Sequence, residues 1–166
     1  KEWIIMKLKN PPKFVYKAYL IYCKLTGPFR MKPDFIIIGS EKCGTTSLYE
    51  YLKKHPNIIA STGKEVSFFD KNFHRGNGWY KSFFPSLLTK FFKQTFSRTK
   101  ILTFEATPRY LIHPHAAKRI SKLYPNVKLI VLFRNPIDRA YSHYEQETIY
   151  AGRETLSFEE AIEKEN

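Results

Sequence analysis

The chain has 166 residues, of which 43% are hydrophobic and 16% aromatic, and this composition excludes a disordered segment and predicts one globular domain with a substantial core. Lysine and arginine outnumber aspartate and glutamate by 28 to 15, so the formal net charge is +13. This charge suits an anionic ligand, with dispersed lysines that keep the protein soluble as the alternative. Two cysteines give no disulfide framework, and the five histidines show no metal-binding spacing.

The N-terminal segment, residues 1–32, is strongly basic, with eight lysine or arginine side chains and one acidic side chain. Its apolar stretch, residues 14–22, is interrupted by Lys17, so it is too short and too charged to span a membrane. We expect an arm or a packed helix that precedes the first strand, with contact to an anionic membrane surface as the alternative.

A strand is predicted at residues 34–38, which are mostly apolar and β-branched, and a helix at residues 45–54, which carry apolar side chains at helical spacing. Gly39 and Gly44 bound the loop between them. Backbone N–H groups at the start of a helix have no partner within the helix and attract anions. The segment therefore predicts a phosphate-binding turn, with an ordinary glycine-containing connection as the alternative.

The loop differs from a Walker A sequence in the place of its lysine. Thr45 stands where that lysine would be, and Lys42 lies inside the loop. Ammonium and hydroxyl groups donate hydrogen bonds to phosphate or sulfonate oxygens. The candidate anion-binding residues of this loop are Lys42, Cys43, Gly44, Thr45, Thr46 and Ser47.

The remaining elements alternate as they do in parallel-sheet proteins. Residues 127–133 form the strongest candidate for a buried strand, and we expect this strand to be central in the sheet. The full order predicts an α/β fold, a P-loop-like parallel sheet flanked by helices on both faces. The other predicted elements are a strand near 58–61, one or two amphipathic helices around Pro85 within 79–96, a strand at 101–104, a helix at 114–124, a helix at 136–150 and a last helix at 158–165 that begins with a capping box of Ser157 and Glu160.

A second anion-binding position is predicted after the strand at 127–133. Arg134 follows that strand, and Asn135 and Pro136 are typical first residues of a helix. Ligands of open α/β sheets bind at the carboxyl ends of the strands. Ser142 lies two helical turns further on, so Arg134 and Ser142 can hold one phosphate from two sides. The alternative is an arginine paired with a helix cap and a serine on the helix surface.

Residues 39–48 together with residues 134–142 resemble the two cofactor motifs of sulfotransferases that use 3′-phosphoadenosine 5′-phosphosulfate (PAPS). The resemblance implies that the first loop holds the 5′-phosphosulfate and that Arg134 and Ser142 hold the 3′-phosphate. The implied cofactor is PAPS, released as 3′-phosphoadenosine 5′-phosphate (PAP), and the scheme requires no metal.

The segment Lys-Glu-Val-Ser-Phe-Phe-Asp at residues 64–70 resembles a motif of carbohydrate sulfotransferases of heparan sulfate type and their bacterial relatives. It implies that Glu65 is the catalytic base, while Lys42 stabilises the leaving phosphate. Ser67 stands where the motif has histidine, and Ala106 stands where those enzymes often have lysine. These two departures count against heparan-like substrate specificity but not against sulfuryl transfer. We expect transfer to a hydroxyl or amine, with a carbohydrate favoured by resemblance alone. The candidate acceptor-binding residues are Asp70, Glu105 and Arg109.

Two other functions remain open at this point. Glu105 follows the apolar run 101–104 and can be read as a metal-holding acid of a kinase or NTPase. Against this reading, Thr45 occupies the position of the usual phosphate-binding lysine. Basic charge and aromatic side chains also suit a nucleic-acid-binding module, but no such fold signature accompanies them, so no nucleic-acid partner is expected.

The resemblance extends over about residues 33–144 and implies that the family continues beyond residue 166. We therefore expect residues 1–32 to be an arm or helix and residues 33–166 to be the N-terminal portion of a single sulfotransferase domain. By themselves, these 166 residues are expected to bind the nucleotide weakly and to turn over poorly. The cysteine content favours the cytoplasm, with the Golgi lumen or a membrane-associated location as the alternative if an N-terminal anchor was removed.

Overall fold

The computed structural model describes residues 13–165. Its strands form one parallel sheet in the order β2-β3-β1-β4. The strands are β1 (Phe35–Gly39), β2 (Ile58–Ala60), β3 (Leu102–Ala106) and β4 (Lys128–Val131). The α-helices are α1 (Lys13–Thr26), α2 (Thr45–Lys53), α3 (Gly76–Lys81), α4 (Leu87–Ser97), α5 (Ala116–Leu123), α6 (Pro136–Glu145) and α7 (Phe158–Glu165).

Two hydrophobic clusters lie on opposite faces of this sheet. Successive side chains of a strand point to opposite faces, and Ile36 of β1 accordingly belongs to one cluster while Phe35 and Ile37 belong to the other. Tyr49 of α2 packs on Phe104 of β3 in the second cluster, with ring centroids 5.3 Å apart. The first cluster contains side chains of α1, α3 and α5. Helices therefore cover both faces, and the predicted α/β fold is confirmed.

The N-terminal helix packs against the first cluster. Tyr19 and Cys23 of α1 are buried, and the Tyr19 and Ser82 hydroxyl oxygens lie 3.3 Å apart. Residues 1–12 of the predicted basic arm lie outside the described residues. Among residues 13–165, no helix is both long enough and apolar enough to cross a membrane.

Strand β4 forms within the residues that the sequence predicts, but its position in the sheet differs from the prediction. It pairs with β1 and forms an edge of the sheet within residues 13–165, rather than a central strand. Leu129 is 46% exposed and Phe133 is 81% exposed. The apolar composition of this run predicted a strand correctly, but composition does not specify how many neighbours a strand has.

The helix predicted at 136–150 changes its winding after Glu145. Helix α6 ends there, and residues Gln146–Tyr150 continue as a π-helix, a form that is rare and is often found at functional sites. The predicted start is confirmed, since the Asn135 side chain accepts a hydrogen bond from the Ile137 N–H at 2.9 Å. The sequence predicts one or two helices around Pro85, and the structure has two, α3 before Pro85 and α4 after it.

Gly39, at the end of β1, is held closely by the turn after β3. A Cβ atom on Gly39 would lie 2.7 Å from Leu111 Cβ and 3.2 Å from the Pro108 carbonyl oxygen. The Leu111 N–H donates to the Ile38 carbonyl at 2.9 Å, so the turn cannot easily move away.

We expect Gly39→Ala to lower the free energy of unfolding by about 1–3 kcal/mol, because the added methyl group overpacks this contact. Gly63→Ala is the matched control, since its Cβ would meet Phe83 at an ordinary 3.9 Å. Denaturant unfolding of both variants measures the difference. Equal stability of the two variants would contradict the close approach at Gly39.

Candidate active site

A cleft of about 780 Å³ opens at the carboxyl edge of the sheet. The carboxyl ends of parallel strands meet at one edge, so the segments that follow β1, β3 and β4 converge there. Eight of the residues that the sequence predicted for the site line this cleft: Lys42, Gly44, Thr45, Thr46, Glu65, Arg109, Arg134 and Ser142.

The loop after β1 ends in an open helix start. Gly44 has a φ of 83° and precedes the first residue of α2, and the first helical bond runs from the Leu48 N–H to its carbonyl at 3.0 Å. The N–H groups of residues 45–47 therefore have no acceptor in a preceding helical turn. Lys42 in the same loop has a φ of 64°. This arrangement combines amide donors with an ammonium group.

Two predicted loop residues do not line the cleft. The Cys43 N–H donates to the Ser40 carbonyl at 3.3 Å, and its thiol lies 3.6 Å from the Glu41 carbonyl oxygen. Cys43 thus stabilises the turn itself. Ser47 is exposed and lies outside the lining of the cleft.

Lys64 connects the loop to the predicted base. Its ammonium group donates to Thr46 Oγ1 and lies 3.5 Å from Glu65 Oε1. The Glu65 side chain is 52% exposed, so its carboxylate is accessible from the cleft. The Glu65 N–H donates to the Ala106 carbonyl at 2.9 Å, which ties this segment to the end of β3.

Arg134 and Ser142 line the same cleft as Lys42, so the two predicted anion-binding positions are brought together. A further ion pair lies beside them. Arg153 Nε is 2.7 Å from Glu147 Oε2, and Arg153 Nη2 is 2.8 Å from Glu147 Oε1. The pair is bidentate, a geometry that fixes both side chains.

The sequence missed several residues of this lining. Lys64 belongs to the motif that identified Glu65, but no role was assigned to it; Lys71 lies just beyond that motif. Glu147 lies in the π-helix and Arg153 lies beyond it. The spacing of an α-helix therefore does not predict where these two side chains lie. The cleft lining includes six cationic side chains, on Lys42, Lys64, Lys71, Arg109, Arg134 and Arg153, and three acidic ones, on Glu41, Glu65 and Glu147. A positive cleft favours anionic ligands.

Asp70 and Glu105, which the sequence assigned to acceptor binding, do not line the cleft. Both Asp70 carboxylate oxygens are buried and have no hydrogen-bond partner among residues 13–165. Glu105 is fully buried below the cleft and accepts hydrogen bonds from Tyr80, Thr107 and Tyr110. This corrects the assignment of Glu105 as a direct ligand of an acceptor or a metal. Within the described part of the chain, no group of three or more His, Cys, Asp and Glu side chains can hold a metal ion.

A family profile described as "Sulfotransferase domain" matches residues 32–166. Heparan sulfate glucosamine 3-O-sulfotransferase 6 of Homo sapiens is 39% identical over 122 residues, which cover 73% of this chain and 32% of that protein. Bifunctional heparan sulfate N-deacetylase/N-sulfotransferase 3 of Homo sapiens is 36% identical over 135 residues, which cover 76% of this chain and 14% of that protein. The chain thus spans at most 32% of the length of these two relatives.

The fold also has a solved counterpart. The crystal structure of a sulfotransferase from Alicyclobacillus acidocaldarius matches with a TM-score of 0.59 and 34% sequence identity, covering 81% of this chain and 57% of that chain.

The buried Glu105 carboxyl predicts a specific dependence of stability on pH. Burial raises its pKa from 4.5 to about 7, although the hydroxyl groups of Thr107, Tyr80 and Tyr110 act in the opposite direction. Between these two values the unfolded chain loses the Glu105 proton while the folded chain keeps it. The stability that Glu105 contributes is therefore fully present below about pH 4.5 and is lost as the pH rises to about 7.

We expect the free energy of unfolding of the unmodified chain, relative to Glu105→Gln, to decrease between about pH 4.5 and about pH 7. Subtracting the variant removes the contributions of the other titrating groups. Denaturant unfolding across this range measures the difference, and a constant or rising difference would contradict the raised pKa.

Proposed function

The chain belongs to the sulfotransferase family, and we propose that it transfers a sulfuryl group from PAPS to a hydroxyl or amine of a carbohydrate. One observation carries this proposal: Lys42, Glu65 and the pair of Arg134 and Ser142 line one cleft. A donor-binding loop, a base and a second phosphate site are the components that the reaction needs.

The donor site is proposed from the charge and donors of the cleft. PAPS supplies the sulfuryl group and carries anionic groups at both ends of its ribose. Lys42 and the N–H groups of residues 45–47 suit the phosphosulfate end, while Arg134 and Ser142 suit the 3′-phosphate. The excess of cationic side chains in the lining supports this fit.

Glu65 is the proposed general base. As the acceptor oxygen or nitrogen attacks sulfur, a new bond to sulfur forms, the bond between sulfur and the phosphate oxygen breaks, and Glu65 takes the acceptor proton. Lys42 stabilises the charge that develops on the leaving phosphate. Lys64, beside Glu65 and hydrogen-bonded to Thr46, keeps the base next to the donor loop.

The acceptor class is proposed from the relatives and the charge of the cleft. The two human relatives are a glucosamine 3-O-sulfotransferase and an N-deacetylase/N-sulfotransferase, so oxygen and nitrogen are both acceptor atoms in the family. Lys71, Arg109 and Arg153 add cationic groups that suit an acidic sugar chain.

The rival kinase function loses its main support. It relied on Glu105 as a metal-holding acid, and this carboxylate is fully buried and hydrogen-bonded to three hydroxyl groups. Contact of residues 1–32 with a membrane surface, and the compartment in which the protein acts, stay predictions.

Donor binding is tested by calorimetry with PAP, with ATP plus magnesium, and with a single-stranded oligonucleotide. We expect PAP to bind most tightly. Arg134→Ala should weaken PAP binding about 10- to 100-fold, because a charge-assisted hydrogen bond contributes about 1.5–3 kcal/mol, and Ser142→Ala about 3- to 10-fold.

Arg139→Ala is the matched control for that experiment, since Arg139 lies on α6 but not in the lining of the cleft. Its affinity for PAP should stay within twofold of the unmodified chain, a change of about 0.4 kcal/mol or less. Tighter binding of ATP plus magnesium would contradict the proposal and favour a kinase.

The base is tested by Glu65→Gln. We expect transfer to fall by about 100-fold or more, because the amide cannot accept the acceptor proton, while PAP binding stays nearly unchanged. Glu50→Gln is the control on the exposed surface of α2, where Glu50 pairs with Lys53. Parallel loss of transfer and PAP binding in Glu65→Gln would refute the role of a base.

A further inference from the structure

The buried carboxylate of Glu105 is surrounded by three hydroxyl groups that donate to it. The Tyr80 and Tyr110 hydroxyls donate to Oε1 at 2.8 and 3.0 Å, and the Thr107 hydroxyl donates to Oε2 at 2.8 Å. A hydroxyl has one proton to donate, so each of these groups uses its proton on Glu105. Their oxygen lone pairs remain free to accept.

Two of the three hydroxyls accept from the segment that carries Glu65. The Phe68 N–H donates to Tyr110 Oη at 2.8 Å, and the Ser67 N–H donates to Thr107 Oγ1 at 3.3 Å. The Tyr80 hydroxyl makes no hydrogen bond to this segment in the described part of the chain. Glu105 is thus connected through two hydroxyls, but not through the third, to consecutive backbone amides.

The segment needs such support because its backbone is strained. Glu65 has a φ of 58° and Ser67 a φ of 51°, the left-handed region that non-glycine residues rarely adopt. Conformations of this kind persist when the surrounding structure holds them, and they cluster at functional sites. The amides of Glu65, Ser67 and Phe68 all donate to the end of β3 or to the turn that follows it.

We propose that Glu105 is a positioning residue that holds the backbone of Ser67 and Phe68 through the hydroxyls of Thr107 and Tyr110 and thereby orients Glu65 toward the acceptor. Its effect on the rate rests on the proposed function of Glu65. The hydrogen-bonded path itself rests only on the geometry.

Above its pKa of about 7 Glu105 is a carboxylate, which suits this position because both of its oxygens accept and neither donates. Glutamine has the same shape but carries an NH₂ group on one side. If that group faces Thr107, the Thr107 hydroxyl must accept from it and can no longer place its proton on residue 105. If it faces the tyrosines, both of their hydroxyls lose their acceptor. In either orientation one branch of the path to the segment is disturbed.

Two matched variants separate positioning from general stability. Tyr80→Phe and Tyr110→Phe each remove one hydroxyl donor from Glu105 Oε1, and both side chains are buried, with 0% and 3% exposure. Only Tyr110 contacts the Phe68 amide. Hydrogen exchange of the Phe68 and Ser67 amides is measured in the full chain, together with kcat and KM for transfer from PAPS and the Kd for PAP.

We expect Tyr110→Phe to speed exchange of the Phe68 amide and to lower kcat, each by about 3- to 10-fold, the effect of one hydrogen bond. KM for PAPS and the Kd for PAP should stay within twofold. Tyr80→Phe should leave the exchange of Phe68 and kcat within twofold of the unmodified chain. Glu105→Gln should speed the exchange of Ser67, Phe68 or both.

Thr107→Val and Thr107→Ser test the second branch and decide the matter if a tyrosine variant does not fold. The valine variant lacks the hydroxyl and should speed exchange of the Ser67 amide and lower kcat, whereas serine should restore both.

Equal effects of Tyr80→Phe and Tyr110→Phe, or exchange unchanged in Tyr110→Phe and Thr107→Val, would overturn the proposed path. Faster exchange with unchanged kcat would overturn the positioning role while leaving sulfuryl transfer intact. If the unmodified chain transfers no sulfuryl group at all, that result would instead count against the proposed function. The exchange data would still test the hydrogen-bonded path from Glu105 to the Ser67 and Phe68 amides.

Discussion

The parallel pairing of β1 with β3 on one side and with β4 on the other is the constraint on which the site depends. It brings three strand ends to one edge, so the loop at residues 40–44, the turn after β3 and Arg134 surround a single cleft. Gly39 tightens this arrangement, because the turn after β3 packs directly on its backbone. Any change that shifts one strand along its neighbour would therefore separate the loop at residues 40–44 from Arg134 and Ser142.

Two segments of the site contain residues in the left-handed backbone conformation: the loop at residues 40–44 and the segment of Glu65. In the loop at residues 40–44, Lys42 adopts a left-handed conformation, and at the start of α2 the N–H groups of residues 45–47 have no acceptor in a preceding helical turn. In the segment of Glu65, the left-handed residues are held from below by the end of β3 and by hydroxyls that converge on Glu105. Positioning of charged groups carries most of the catalysis in transfers of this type, so rigid backbone support has a direct chemical use.

Local rules explain what could be predicted from the sequence. The helix start at Asn135, and the capping box of Ser157 and Glu160, with bonds of 2.9 and 3.3 Å, depend on neighbouring residues only. Within residues 13–165, β4 pairs with β1 alone, and this could not be predicted, since an apolar run indicates burial and not the number of neighbouring strands. The buried hydrogen bonds of Glu105 were also missed, because two of its three hydroxyl donors, Tyr80 and Tyr110, lie 25 and 5 residues away, where no spacing rule connects them.

The step to measure is the proposed transfer of a sulfuryl group from PAPS to a carbohydrate. It is tested most directly by incubating the full chain with PAPS that carries a radioactive sulfur atom and with an unsulfated heparan-type polysaccharide. We expect the label to become covalently attached to the sugar, with one PAP released for each sulfuryl group transferred. Label that stays in PAPS or leaves as free sulfate, with none on the sugar while the donor is bound, would contradict it.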